Sequence, residues 1–412
     1  MKLPLDISSV LEFEDTIARA AFRDEFRCWL ADALPTGWRA AQMQGDRGRM
    51  RAYRKVWDEV AWHQTMGEAG YLAVHWPTEY GGRGLSLAEH FAVQDEVARA
   101  GVPMMGLAIL AVGLCGPTIM EWGTDEQKNV YLPGIASGRD IWCQLFSEPG
   151  AGSDLASVTT RADRRSDGGF AVRGQKVWTS LAQHARYGML LARTDAAADK
   201  HHGLSWMIAS LRDDEAHPRP GYTIRPLRMI TGEAHFNEVF LDGLLVGQDE
   251  VLGPVDAGWR VVRTTLLNER MAISGASFDQ GDNLADILRA VTERGIGTDP
   301  YVRRALAGLF VDQSIRDILA HRSLERKLAG APPGPEESIN KILMARFNQA
   351  RTELNLDLAG IEGVVVDHDG PQPSADLHFG YLRARANSIE GGTVEVLRNV
   401  IAERLLGLPK SL

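Results

Sequence analysis

The stretch WCQLFSEPGAGSDLASVTTRA, Trp142 to Ala162, marks a change of grain in the chain. An apolar run enters Pro149 and then meets Gly150-Ala151-Gly152-Ser153-Asp154. Small residues let a ligand approach the backbone, and glycine reaches φ values that other residues avoid. A dinucleotide fingerprint is one candidate, but its third glycine is missing. The next residues read as further strand and not as a crossover helix. A ligand-binding loop and an ordinary Gly-rich turn both remain open from this segment alone.

Downstream, GGFAVRGQKVWTS, RYGMLLART, GLSWMIASL, YTIRPLRM and FNEVFLDGLLV are short and rich in β-branched and aromatic residues. Turn residues separate them, which predicts an antiparallel β domain over residues 139–253 in place of βαβ units. Upstream, residues 1–138 read as helices. SLAEHFAVQDEVARA carries Ser86 and Glu89 in the spacing of a capping box, and TDEQKNVYLPGI repeats the device with Thr124 and Gln127. Phe13, Ile17, Phe22, Phe26 and Leu30 recur near a helical period, with Trp29 beside them. Helical grain returns over 254–412. It is broken by AGAPPGPEES (Ala329–Ser338) and DHDGPQPS (Asp367–Ser374), two Pro/Gly loops. The order α, β, α predicts an α+β multidomain chain.

The 412 residues suffice for two or three packed domains. A net charge of −9, from 45 Lys+Arg against 54 Asp+Glu, argues against a nucleic-acid binder, which needs a basic field. Cys28, Cys115 and Cys143 are odd in number, with no metal-ligand spacing and no disulfide framework. Their use predicts a reducing compartment, the cytoplasm. The opening MKLPLDISSVLEFEDTIARA has no apolar signal core. Gly101 to Met120 carries no charge, but Pro103 and Pro117 interrupt it, so a buried core helix is expected and not a membrane span.

Three further segments carry chemistry. GQKVWTSLAQHARYGMLLART, Gly174 to Thr194, sets Trp178 before Thr179 and Ser180. That Trp can line a flat aromatic cofactor or fill a core. LNERMAISG, Leu267 to Gly275, places Glu269 and Arg270 in an apolar helix. An acid there can act as a base with a raised pKa, or be an ordinary surface Glu. EGGTVEVLRNVIAERLLGLP starts at Glu390. Thr393 is a natural N-cap, Glu395 sits in the first turn, and Val394, Leu397, Ile401 and Leu405 form one apolar face. The N–H groups ahead of that helix can hold an anion or a carbonyl. His201 and His202 lack a spaced metal partner, and no metal site is expected. No P-loop, Gly-x-Ser-x-Gly elbow or HExxH occurs.

Together these segments resemble the acyl-CoA dehydrogenase family over almost the whole chain. WPTEYGGRG is similar to its first-domain turn and GTDEQKNVYLPGIASG to the helix leading into its β domain. SEPGAGSD and GQKVWTS are similar to its two flavin signatures, and GGTVEVLRNVIAERLLGLP to its C-terminal signature. The resemblance implies an α-helical domain, a β-barrel-like domain and a C-terminal four-helix bundle, with FAD as cofactor. It also implies a homotetramer or dimer, with a hetero-oligomer as the other possibility, and an electron-transfer flavoprotein as electron acceptor. Phe146, Ser147, Gly152 and Ser153 fall on the first flavin signature. Trp178 and Ser180 match residues at the isoalloxazine ring, and Thr393 and Glu395 match C-terminal flavin contacts. Arg294 and Gln313 match a pair that reaches a neighbouring subunit's flavin. Here the segment between them is longer, and the family's aromatic-Gly pair is Ile296-Gly297. Ser153, Arg270 and Gly391 fall at substrate contacts.

The same resemblance bears on the base. In the commonest branch it is a Glu followed directly by Gly-Thr. An ungapped match puts Gly391 at that position, with Glu390 one residue early. Long-chain-like and isovaleryl-like branches place it just before an Arg early in a C-terminal-domain helix, which is Glu269 ahead of Arg270. The resemblance therefore implies Glu269 as the α-proton base for oxidation of an acyl-CoA to the trans-2-enoyl-CoA, with flavin N5 as hydride acceptor and Glu390 structural. Rivals are a flavin-dependent oxygenase or oxidase on the same fold, and a non-catalytic partner subunit.

Overall fold

The computed structural model describes residues 17–103, 106–275, 284–331, 334–364 and 373–410. Phe13, Pro332, Pro333 and the loop from Asp367 to Gln372 lie outside the described residues. The chain forms two compact units. The larger runs through Met229 and takes in Ala234–Ala272, and the second holds Ile230–Glu233 and the chain from Ile273 onward.

The larger unit begins with helices α1 (Ile17–Ala33), α2 (Trp38–Met43), α3 (Arg47–Lys55), α4 (Glu59–Glu68) and α5 (Leu87–Arg99). Next come α6 (Gly106–Ala108), a π-helical turn (Ile109–Cys115), α7 (Gly116–Trp122) and α8 (Asp125–Ala136). Both expected capping boxes form. The Ser86 N–H donates to Glu89 Oε2 at 3.0 Å, and the Gln127 N–H donates to Thr124 Oγ1 at 3.2 Å. Gln127 also donates through Nε2 to the carbonyls of Asp249 and Val251, which fastens α8 to the end of the β region. The apolar stretch around Ala111, Leu114 and Ile119 is a buried core helix, as expected. Its π-helical turn is not foreshadowed by the sequence pattern. No helix among the described residues is long and apolar enough to cross a membrane.

The β region has eight strands: β1 (Trp142–Leu145), β2 (Arg161–Arg164), β3 (Phe170–Ser180), β4 (Tyr187–Arg193), β5 (Leu204–Ser210), β6 (Tyr222–Leu227), β7 (Phe236–Val246) and β8 (Val251–Leu252). They form one sheet in the order β6-β7-β3-β2-β4-β5-β8, with β1 beside β4. The expected antiparallel β domain forms, with two departures in detail. β1 and β2 both run parallel to β4, and the sheet does not close. Its edges explain why. Pro226 in β6 has no N–H for a further strand, and β8 has only two residues. One face, with Trp142, Met189, Leu191 and Trp206, packs into the helical core. The other buries Cys143, Leu190, Met207 and Val239. Both faces being covered, β5 is buried at every position, which is why GLSWMIASL shows no alternation. Helix α9 (Gly258–Gly275) follows.

The second unit contains α10 (Leu284–Glu293), α11 (Pro300–Leu328), α12 (Glu337–Ala359), α13 (Pro373–Ala384) and α14 (Val394–Val400). Asp299 caps α11 by accepting from the N–H groups of Tyr301 and Val302, with Pro300 pre-set at the first position. Ile287, Val291, Leu309, Phe347 and Leu354 make its core. The chain is thus a helical N-terminal region, a central sheet and a C-terminal helical region.

Candidate functional site

In the larger unit, the loop after β1 is built around a buried ion pair. Lys176 Nζ lies 2.8 Å from Glu148 Oε1 and donates to the Phe146 carbonyl at 3.0 Å. Glu148 also accepts from the Thr159 N–H and Oγ1 and from the Thr160 N–H, at 2.7–2.9 Å. Burial alone would raise the Glu148 carboxyl. The Lys176 charge and these hydrogen bonds outweigh it and hold the group at about 2. Burial pulls the Lys176 ammonium down to about 8, against the attraction of Glu148. The pair is ionised at neutral pH. It joins the segments SEPGAGSD and GQKVWTS, which the Val177 N–H also ties through the Ser147 carbonyl at 2.9 Å.

This anchoring leaves the loop's outer side open. Phe146 is buried and Ser147 half-buried, whereas Gly150, Gly152 and Ser153 are exposed. A Cβ at Gly150 or Gly152 would meet nothing within 4 Å. Neither glycine has a positive φ, so open approach to the backbone, and not special conformation, is what their size provides here.

Trp178 faces the open side for a backbone reason. Lys176 pairs with Val239 and Thr179 with Asn237, so β3 carries one residue more than β7 across this step. The resulting bulge puts Trp178 at φ 60, a left-handed conformation costing about 1–2 kcal/mol in a non-glycine residue. The indole is 57% exposed and rests edge-on against Phe236 at 5.9 Å. Thr179 is buried and Ser180 half-buried. An exposed flat ring on a strained strand, which Val177 ties to a loop whose glycines have free space above them, fits a planar aromatic cofactor.

Glu269 lies on α9, half-buried, with Gln144 Nε2 3.4 Å from its Oε2. Gln144 is on β1, two residues before Phe146. The structure therefore links Glu269 to the strand that enters the glycine loop. Sequence reading passed over Gln144. Its signal was a lone amide in the otherwise apolar run WCQLF. Arg270 donates from Nε to the Leu266 carbonyl one turn back at 3.1 Å.

The second unit holds the remaining predicted residues. Glu390 receives a two-pronged ion pair from Arg383, at 2.7 and 3.1 Å, and a 2.6 Å hydrogen bond from Asn387 Nδ2. Its carboxylate braces the turn. Gly391 and Gly392 follow at φ 65 and 98, conformations that the turn demands and glycine tolerates. The buried Lys341 donates to the Gly392 carbonyl at 2.8 Å. Thr393 caps α14 by accepting from the Val396 N–H, and Glu395 is exposed in its first turn. Arg294 donates to the Leu358 carbonyl, and Gln313 bonds to Asp317 on the next turn of α11.

Matches to family models cover most of the chain. The N-terminal domain of acyl-CoA dehydrogenases matches residues 18–139, the middle domain 143–243 and the C-terminal domain 256–406. The acyl-CoA dehydrogenase IpdE1 of Mycobacterium tuberculosis is 37% identical over 390 residues, 94% of this chain and 97% of that protein. Acyl-CoA dehydrogenase FadE34 of the same organism is 40% identical over 345 residues, 84% of this chain. The chain spans 46% of that relative's length. A solved structure described as the Tcur3481-Tcur3483 steroid ACAD superposes with a TM-score of 0.78 at 30% identity, covering 97% of this chain and all of its own.

Proposed function

The chain belongs to the acyl-CoA dehydrogenase family, flavoproteins that use FAD to oxidise a CH–CH bond of an acyl-CoA, and from that premise we propose that Glu269 is its base. The observation that carries this reading is the contrast in setting between two carboxylates. Glu269 is half-buried beside Gln144, on the strand leading to the flavin loop. Glu390 is held by three short contacts from Arg383 and Asn387, which suits bracing and leaves little freedom to accept a substrate proton.

In this reading Glu269 takes the α-proton of the acyl thioester. When bound, FAD supplies the acceptor for the β-hydride. The α-proton is too weakly acidic for a carboxylate unless the carbonyl oxygen is stabilised as charge develops, and a backbone N–H donor does that. Gly391 is the proposed donor on this chain. Trp178 and Ser180 are proposed contacts to the ring, Phe146, Ser147, Gly152 and Ser153 contacts along the loop, and Thr393 and Glu395 further proposed flavin contacts. Ser153 and Arg270 are proposed to touch the substrate as well. Arg294 and Gln313 are proposed to serve a neighbouring subunit's flavin. An electron-transfer flavoprotein is the proposed acceptor, the assembly a homo- or hetero-oligomer, and the compartment the cytoplasm.

A steroid relative widens the substrate range to be tried. The test is the visible spectrum of the FAD-loaded protein before and after adding octanoyl-CoA, isovaleryl-CoA, palmitoyl-CoA and a CoA thioester of a steroid side chain. Bleaching by at least one, with the enoyl-CoA recovered, is expected. No bleaching with any of them, or rapid hydrogen peroxide release during turnover, would move the reading to a partner subunit or an oxidase.

A further inference from the structure

We infer that the π-helical turn Ile109–Cys115, acting through Gly113, sets the position of Glu269. This rests on Glu269 being the base. The run α6, π turn, α7 packs along α9 at three levels. Trp122 Nε1 donates to Thr264 Oγ1 at 3.0 Å, and Thr118 Oγ1 donates to Thr265 Oγ1 at 3.1 Å in full burial. Further along, a Cβ placed on Gly113 would come within 3.0 Å of the Ala272 Cβ. The two segments run in opposite directions, since 122, 118 and 113 meet 264, 265 and 272.

The spacing explains the π turn. Trp122 and Thr118 are four apart, one α-helical turn. Thr118 and Gly113 are five apart. In a regular α-helix five residues rotate by about 500°, which would swing Gly113 about 140° away from the Thr118 face. The wider winding of the π turn, which holds Gly113 and runs into α7 at Gly116, reduces that swing, and the contacts with Thr265 and Ala272 show both residues meeting α9. On α9, Thr265 and Ala272 are seven apart, two turns on one face. Glu269 stands between them, one turn after Thr265 and one before Ala272. The hydroxyl contact holds the helix on one side of Glu269 and the glycine contact on the other. Gly113 has no side chain to act on a reacting atom. It is a positioning residue, and its lack of a side chain lets α9 sit where it does.

A methyl group at Gly113 must displace Ala272 by a few tenths of an ångström. A misplacement of 1 Å costs about 10²-fold in rate. On that scale Gly113→Ala is expected to slow single-turnover flavin bleaching about threefold and Gly113→Val about thirtyfold. The probe is whichever of the four acyl-CoAs bleaches the unmodified protein fastest. FAD per chain and the half-saturating acyl-CoA concentration should stay within about twofold. Crystal structures should show Glu269 displaced from Gln144 in the valine variant. Adding Ala272→Gly to Gly113→Ala should return the rate, because the cavity then accepts the new methyl.

Unchanged bleaching in both variants overturns the inference. So does slowing that Ala272→Gly fails to relieve while FAD remains bound. A raised half-saturating concentration at an unchanged limiting rate would make Gly113 a wall of the acyl site and overturns it too. If the valine variant does not fold, the alanine variant and its double mutant decide alone. Glu269→Gln, run in parallel, separates the two layers. Bleaching that survives it sinks the base assignment itself. Bleaching that it abolishes, with both Gly113 variants at full rate, sinks only the role of the π turn.

Discussion

Lys176 Nζ and Glu148 Oε1 are 2.8 Å apart in the interior of the larger unit, and between them they tie the loop of Gly150–Asp154 to the strand that carries Trp178. Removing one partner of a buried pair strands the other's charge, at a cost of about 3–5 kcal/mol. Lys176→Met is therefore expected to destabilise the protein by about that amount and to lower FAD content. Lys176→Met combined with Glu148→Gln should be milder than Lys176→Met alone. Denaturant unfolding with flavin quantitation checks both, and a single variant as stable as the parent would show that the pair contributes little.

The same pair sets an acid limb. The Glu148 carboxyl is held at about 2 in the folded chain, below its ordinary value of 4.5. A depressed carboxylate contributes stability that is fully present above the unfolded pKa and is lost as pH falls through the folded one. The window is thus from about pH 4.5 down to about 2, and the contribution about 3 kcal/mol. Glu148→Gln should lower stability at pH 6 and flatten its fall between pH 4.5 and 3. Parallel slopes for the two proteins in that interval would refute the assignment.

Trp178 combines exposure with a left-handed backbone, so its replacements should separate strain from binding. In the FAD-free protein Trp178→Gly should be more stable than Trp178→Ala by about 1 kcal/mol, because glycine accepts φ 60 and alanine does not. Both should bind FAD more weakly than the parent, as measured by fluorescence titration. An alanine variant equal to or more stable than the glycine one would mean the bulge relaxes without the indole.

The two glutamates are expected to diverge. Glu269→Gln keeps size and polarity but cannot take a proton, so flavin bleaching should slow by about 10²–10⁴-fold with FAD still bound. Glu390→Gln leaves Arg383 short of its carboxylate and should reduce stability, yet bleaching should stay within about tenfold, or about 1.4 kcal/mol in the barrier. Single-turnover stopped-flow is the measurement, since steady-state rates can hide behind product release. Abolition by Glu390→Gln alone would move the base to the Glu390 turn.

Much of this architecture was written locally. Ser86 with Glu89 and Thr124 with Gln127 are capping boxes in the sequence and in the structure, because a cap joins residues only three apart in the chain. Turn residues between β-rich runs separated the strands for the same reason. Strand order was less legible. The parallel seating of β1 on β4 depends on Trp142 meeting Tyr187, a pairing no local pattern announces.

The sequence by itself determined the order of helices and strands, the two glycine-flanked loops, the cap at Thr393 and the identity of both carboxylates. Those follow from periodicity and from side chains acting within a few residues of themselves. Tertiary structure alone decided what each carboxylate faces. Arg383 and Asn387 converge on Glu390 only once α13 and its following turn are packed. Gln144 reaches Glu269 only once β1 lies against α9. The left-handed Trp178 exists because β3 is one residue longer than β7 across their shared step, and Gly113 of the π turn meets Ala272 only once that turn packs on α9. The Gln144–Glu269 contact, the β3–β7 mismatch and the Gly113–Ala272 contact join segments far apart in the chain, fixed by packing geometry and invisible to any window that reads one segment at a time.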